Sequence, residues 1–190
     1  MATGKYGPQV MTVQEATNSI AQRRVIRVFP ELAATAVSGH AQDVMCTNVE
    51  IPNAVMRPGG CSNLLNVYHM DYEDIQSEED FYVIFHQDNP AAWGTLDATA
   101  NISADNLKLS KVLGWRNMDN SAGETASAID NAHLIELQGA NGVNEQPLPI
   151  FLQAEEDSTS VYFTVIAKDT SGATPDWDTG DWEFIFHIEY

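Results

Sequence analysis

The sequence predicts an all-β protein, an antiparallel β-sandwich of jelly-roll type preceded by a poorly structured N-terminal arm. Two late segments carry that prediction, SVYFTVIAKD and DWEFIFHIEY, whose side chains alternate with period two. Between the strand-like runs lie clusters of Gly, Pro, Asn, Asp and Ser, which favour turns. There is no heptad, internal repeat or low-complexity tract. Eight or nine short strands separated by turns read as a sandwich or jelly roll.

Residues 1–22 mix Gly, Thr, Gln, Asn and Ser with little periodicity and are expected to form an arm, in which TVQEATNSIAQRR is able to become a short helix when a partner holds it. A single domain is expected over 23–190. RRVIRVFP sets Arg23, Val25, Arg27 and Phe29 against Arg24, Ile26 and Val28, a first strand stopped by Pro30. DVMCTNVEIP makes a second. Pro58-Gly59-Gly60 is a strong turn signal, and SNLLNVYHMD after it is expected to place Leu64, Tyr68 and Met70 opposite Leu65, Val67 and His69 in an internal strand.

The acidic run DYEDIQSEED resists burial and reads as a solvated loop before the strand FYVIFHQD. PAAWGTLDATANISADN is irregular, with Ser103 placed to N-cap a turn of helix through SADNLKLS. KVLGWRN, AHLIELQG and PLPIFLQA supply further strands. In VYFTVIAK both faces carry apolar weight, as in a strand inside a sheet. In the last segment Trp182, Phe184, Phe186, Ile188 and Tyr190 share one buried face, and this strand is expected to close the sheet. The linking DTSGATPDWDTG reads as a long loop.

At 190 residues and 44% hydrophobic, the chain can bury one good core without a staple. Its two cysteines, Cys46 and Cys61, cannot make a disulfide framework and are expected to be buried thiols. The first 22 residues lack a basic start followed by an apolar run, and no stretch approaches the ~20 apolar residues of a membrane span. A soluble protein made in a cytoplasm, with no membrane partner, is the expectation.

The net charge of −18 argues against nucleic acid as a partner, because phosphate binding needs clustered Lys and Arg. The charge is uneven. Up to Arg57 five bases face four acids, whereas the remainder has Lys108, Lys111, Arg116 and Lys168 against twenty-three acids. Either acidity simply keeps the protein soluble, or the near-neutral first part docks on a partner while the acidic body faces solvent.

No sequence motif announces catalysis. His40, His69, His86, His133 and His187 are scattered without metal-ligand spacing, and the GxSxG, P-loop and GxGxxG patterns are absent, so no cofactor is expected. Asp176, Asp178 and Asp181 around Gly180 resemble the start of a calcium loop, yet the glutamate at position twelve is missing. They are read first as a solvated turn. Trp182 belongs to the core face, while Trp93, between Ala92 and Gly94, and Trp177, between two aspartates, are the candidates for exposed rings able to stack on sugars. Packing in a loop or at a subunit interface is the plainer reading of both.

The phrases EIPNAV, GGCSNLLNVYHMD, KVLGW, PLPIFLQAEEDSTSVYFTVIAKDT and DWEFIFHIEY together resemble small virion structural proteins of tailed bacteriophages, particularly marine ones, over about residues 23–190. The resemblance contains no catalytic motif. It implies a β-sandwich that decorates or cements the outside of the capsid, a homotrimer attached to the major capsid protein. Arg23, Arg24 and Arg27 are then candidates for contact with an acidic capsid patch, or equally for guarding an edge strand against aggregation. The alternative from another class is a carbohydrate-binding module for host attachment, using Trp93 or Trp177 with calcium at the aspartates. A glycosidase with two loop carboxylates is a third.

Overall fold

The computed structural model describes residues 22–32, 42–72, 81–118, 127–129, 132–136, 148–168 and 180–190, with 127–129 and 132–136 described by backbone alone. The strands, rich in β-branched and aromatic residues, are β1 (Arg23–Val28), β2 (Val44–Ile51), β3 (Cys61–Asp71), β4 (Phe81–His86), β5 (Val112–Met118), β6 (Ser127–Ile129), β7 (Ala132–Glu136), β8 (Ile150–Gln153), β9 (Val161–Ala167) and β10 (Trp182–Glu189), with one short helix, α1 (Ala104–Ser110), before β5. Short β6 was not anticipated: the sequence there reads as a Gly-, Ser- and Asn-rich link.

One sheet runs β1-β10-β3 and continues along β3 into two partners, β8 beside its first half and the β7-β6 hairpin beside its second. The other runs β2-β9-β4-β5. With the β6-β7 hairpin set aside, the remaining strands pair first with last, second with next-to-last and so on inward: β1 with β10, β2 with β9, β3 with β8, β4 with β5, all antiparallel. That nested pairing, folded into two facing sheets, is the jelly roll. The expected fold class is what the chain adopts.

The core lies between the sheets. From β10, Trp182, Phe184, Phe186 and Ile188 are fully buried, and they meet Phe81, Val83 and Phe85 of β4 and Val161, Phe163 and Val165 of β9. Phe163 touches both Phe184 and Phe186, at ring-centroid separations of 5.0 and 5.3 Å, and Trp182 stacks on Phe81 at 5.2 Å. An aromatic spine therefore joins the two sheets.

The expected alternation in β3 holds only in part. Opposite β10, His187 pairs with Asn66 and Ile188 with Leu64, so Leu65 is one residue too many on its side. This bulge flips the phase: Leu64 is buried together with Val67, His69 and Asp71, whereas Tyr68 and Met70, expected beside Leu64, lie on the outer face.

Turn signals were more faithful. Gly60 N–H donates to the Arg57 carbonyl at 2.9 Å across Pro58-Gly59, and Gly59 has φ +67°, as a type II turn requires at its third position. Ser103 caps α1 by accepting from Asn106 N–H at 3.2 Å, and Lys111 ends it in the left-handed region. Of the cysteines, Cys46 is buried and its thiol is pushed up by desolvation, but Cys61 is exposed; it begins β3 on the outer side, which corrects the expectation of two buried thiols.

Two sheet edges differ in how they end. Along β2 the 93–101 segment folds back: Asp97 N–H donates to the Val44 carbonyl at 3.0 Å, Val44 N–H to that of Ala98 at 3.0 Å and Ala100 N–H to that of Gln42 at 2.9 Å. The start of that edge is covered. On β1 no described residue pairs with the side facing away from β10. The expected arm boundary at residue 22 is approximate, since Gln22 already accepts from Tyr190 N–H at 3.0 Å. The rest of the arm, 1–21, lies outside the described residues.

Candidate functional site

The three arginines proposed for contact all sit on β1, but they are not equivalent. Arg23 donates from Nε to Glu189 Oε1 at 3.1 Å, and Arg27 donates to Glu183 Oε1 at 2.6 Å. These pairs follow from register, because β10 is the neighbour of β1 and presents its outward glutamates beside it. Arg24 has no hydrogen-bond or ion-pair partner among the described residues; it is exposed and lines a cleft of about 290 Å³ with Asn53, Val55, Met56 and Tyr190. The cleft lies at the rim where β1 begins and the 52–57 turn passes.

Glu183 is 1% exposed although it points away from the core. A buried carboxylate needs its lone pairs satisfied, and here Arg27 takes one oxygen while Tyr72 O–H donates to the other at 2.5 Å. Those bonds hold the Arg27 guanidinium and the Tyr72 phenol above their ordinary values, the hydrogen bond to Glu183 being the main cause in each. Arg27 thus has a structural duty that sequence alone does not reveal. Even so its side chain stays 59% exposed, and that of Arg23 74% exposed, so each guanidinium keeps further N–H donors toward solvent. Exposed Val25 and Phe29 alternate with them.

Trp93, the candidate stacking ring whose plainer reading is loop packing, is packed: it is 4% exposed, its backbone N–H donates to Thr47 Oγ1 at 3.0 Å and its ring lies against His86, 5.3 Å between centroids. The fold-back that covers β2 also buries Trp93. Beneath it, His86 is pinned as a neutral ring. Nδ1–H donates to the Asp88 carbonyl at 2.8 Å, so Nε2 accepts from Thr164 O–H at 3.1 Å, and Thr164 Oγ1 in turn accepts from Asn48 N–H. Burial lowers the His86 pKa. This network locks a loop to a sheet.

Trp177, Asp176 and Asp178 lie outside the described residues, and the Asp181 carbonyl accepts from Tyr72 N–H at 2.8 Å. Among the described residues no three His, Cys, Asp or Glu side chains converge as metal ligands.

The aromatic cleft that does open to solvent is on the outer face of the β4-β5 pair. Ile84 faces Trp115 and Tyr82 faces Asn117 across the strands, and the Tyr82 and Trp115 rings meet edge-on at 5.4 Å and 81°. The cleft formed by Tyr82, Ile84 and Trp115 encloses about 310 Å³. Alternation in KVLGWRN puts Trp115 on the face of Leu113 and Asn117, but which face is outward is a tertiary fact.

His69 is buried inside the sandwich, its ring 4.7 to 5.1 Å from those of Trp182, Phe184 and Phe81, with no hydrogen-bond partner for either nitrogen among the described residues. Desolvation lowers its pKa to about 3.

Compared with known proteins, the chain matches no family model, no curated protein and no solved structure.

Proposed function

We propose that this chain is a non-enzymatic structural protein of a phage virion, a decoration or cement protein that docks on the outer surface of the capsid lattice and stabilises the head. The observation that supports the reading best is the contrast between two edges of the jelly roll: β2 is paired at its start with its own 93–101 loop, whereas β1 is bare along its length among the described residues and carries three arginines on a chain of net charge −18. A strand whose Arg24 has no ion-pair partner among the described residues, and whose Arg23 and Arg27 keep exposed donors beyond their glutamates, suits attachment of this acidic body to an acidic subunit surface, with the major capsid protein as partner and a homotrimer bridging its neighbours. Individually weak contacts repeated over a lattice add through multivalency.

The test is co-sedimentation with virus heads that lack the protein, together with its mass in solution. Binding that follows the heads and falls at least about tenfold in Arg24→Glu, whose side chain makes no bond to another described residue, is the expected result. A monomer that ignores heads would end this reading.

One observation favours a second reading, a glycan-binding module for host attachment: the open cleft of Tyr82, Ile84 and Trp115, whose flat apolar faces suit sugar rings. On that reading a glycan array gives hits that disappear in Trp115→Ala and survive in Trp93→Phe, since Trp93 is buried. A blank array with the wild-type protein removes it.

A further inference from the structure

We infer that β1 is a strand-addition site, and that its occupant is an extended segment of another protein in which acidic and apolar residues alternate. This deepens the docking reading above and rests on it for the identity of the partner, though not for the chemistry of the site. Backbone geometry carries the first half. Tyr190 N–H donates to the Gln22 carbonyl, and the register continues as Arg23 with Glu189 and Arg24 with Ile188. In an antiparallel ladder bonded and non-bonded pairs alternate. Arg24, Ile26 and Val28 therefore spend their backbone groups on β10, and the N–H and C=O groups of Arg23, Val25 and Arg27 point away from it, toward the open edge. Among the described residues nothing meets them. Such a row is a ready template for another strand, which natural sheets normally cover or blunt, as the facing sheet does at the start of β2.

Charge decides the occupant. Arg23, Val25 and Arg27 stand on the outer face beside the open edge; β1 contains no acid, and Arg23 and Arg27, each bonded to one glutamate of β10, stay 74% and 59% exposed with donors left for a carboxylate on their free side. A strand added there places side chains directly across from these three, so acid, apolar, acid is the complementary order. Arg24 looks the other way, into the rim cleft with Asn53 and Tyr190, where it can take a further carboxylate. A second copy is the poorer occupant. Two β1 strands meeting two-fold symmetrically about Val25 would set Arg23 of one opposite Arg27 of the other, and like charges directly opposed destabilise a pair. The arginines thus repel the chain's own edge and admit an acidic one.

The experiment uses the full chain, amide hydrogen exchange by NMR, and a blocked heptapeptide alternating glutamate and valine, with the lysine-valine peptide as control. In the free protein the amides of Arg24, Ile26 and Val28 should be protected and those of Arg23, Val25 and Arg27 should exchange freely. The acidic peptide should protect the second set and bind roughly tenfold tighter than the basic one. Val25→Pro removes one outward N–H and leaves the β10 ladder intact, as edge strands tolerate; it should abolish peptide protection while Arg24, Ile26 and Val28 stay protected, which reports an intact fold. Outward amides already protected in the free chain, or equal binding of both peptides, would overturn the inference. Heads separate the two claims. If wild-type protein and Val25→Pro bind heads equally, strand addition is wrong and lattice docking stands; if the peptide binds and heads do not, the lattice reading fails and the strand site stands.

Discussion

Phe184→Ala is expected to cost about 3–5 kcal/mol, the usual range for deleting a buried aromatic and leaving a cavity. Phe184 is fully buried at the centre of the spine, with the rings of His69, Phe163, Trp182, Phe186 and Phe81 around it. Contacts from both sheets converge on it, so neither sheet can relax inward without breaking pairing elsewhere, and little of the cavity will close. Against a total stability of about 5–15 kcal/mol for an ordinary domain, such a loss is severe. Urea unfolding measures it, with Phe151→Ala as the control, since Phe151 lies on β8 and is 55% exposed; surface changes of that kind stay within about 0.5 kcal/mol. Equal effects at the two positions would mean that the spine does not hold the sheets together.

Acidification should destabilise the protein through His69. The ring is neutral in the fold with a pKa near 3, below its ordinary 6.5, because it is surrounded by Trp182, Phe184 and Phe81, and no described residue makes a hydrogen bond to it that would favour the cation. Protons therefore bind the unfolded chain more readily. The stability that depends on a neutral His69 is fully present above about pH 6.5 and is lost progressively as pH falls toward 3. Between pH 7 and pH 5 the loss from this one group is about 2 kcal/mol. Carboxylates titrating lower down add their own dependence, so the readout is the difference between wild type and His69→Leu, two proteins that share every other group. The variant's stability should be flatter over that window; parallel curves would mean that His69 is solvated or paired.

Much of the fold was legible because its signals are local. Alternation marked β1, β9 and β10, Pro58-Gly59 marked a turn, and Ser103 marked a helix start. What could not be read depended on which distant segments become neighbours. The bulge at Leu65 leaves no signature in SNLLNVYHMD, because either phase of that strand has apolar residues, and only pairing with β10 selects one. Trp93 is buried by a fold-back onto β2, some forty-five residues earlier in the chain. Arg23 and Arg27 are tied to glutamates 166 and 156 residues away, so their partial occupation was invisible where all three arginines looked alike. For the site, sequence pointed to the right strand but could not rank its residues, and it directed the search for an aromatic platform to Trp93 and Trp177 rather than Trp115.

The nested pairing of the strands also bears on how the molecule carries mechanical load. Because β1 and β10 run antiparallel, Gln22 and Tyr190 emerge side by side at one rim, joined by a single hydrogen bond. Tension applied between those two points peels the pair open bond by bond, each yielding before the next is strained. A strand laid along the free side of β1 and pulled lengthwise behaves differently, since its hydrogen bonds lie across the direction of force and share it in shear. A joint made on that edge can therefore be tougher under tension than the pairing between Gln22 and Tyr190.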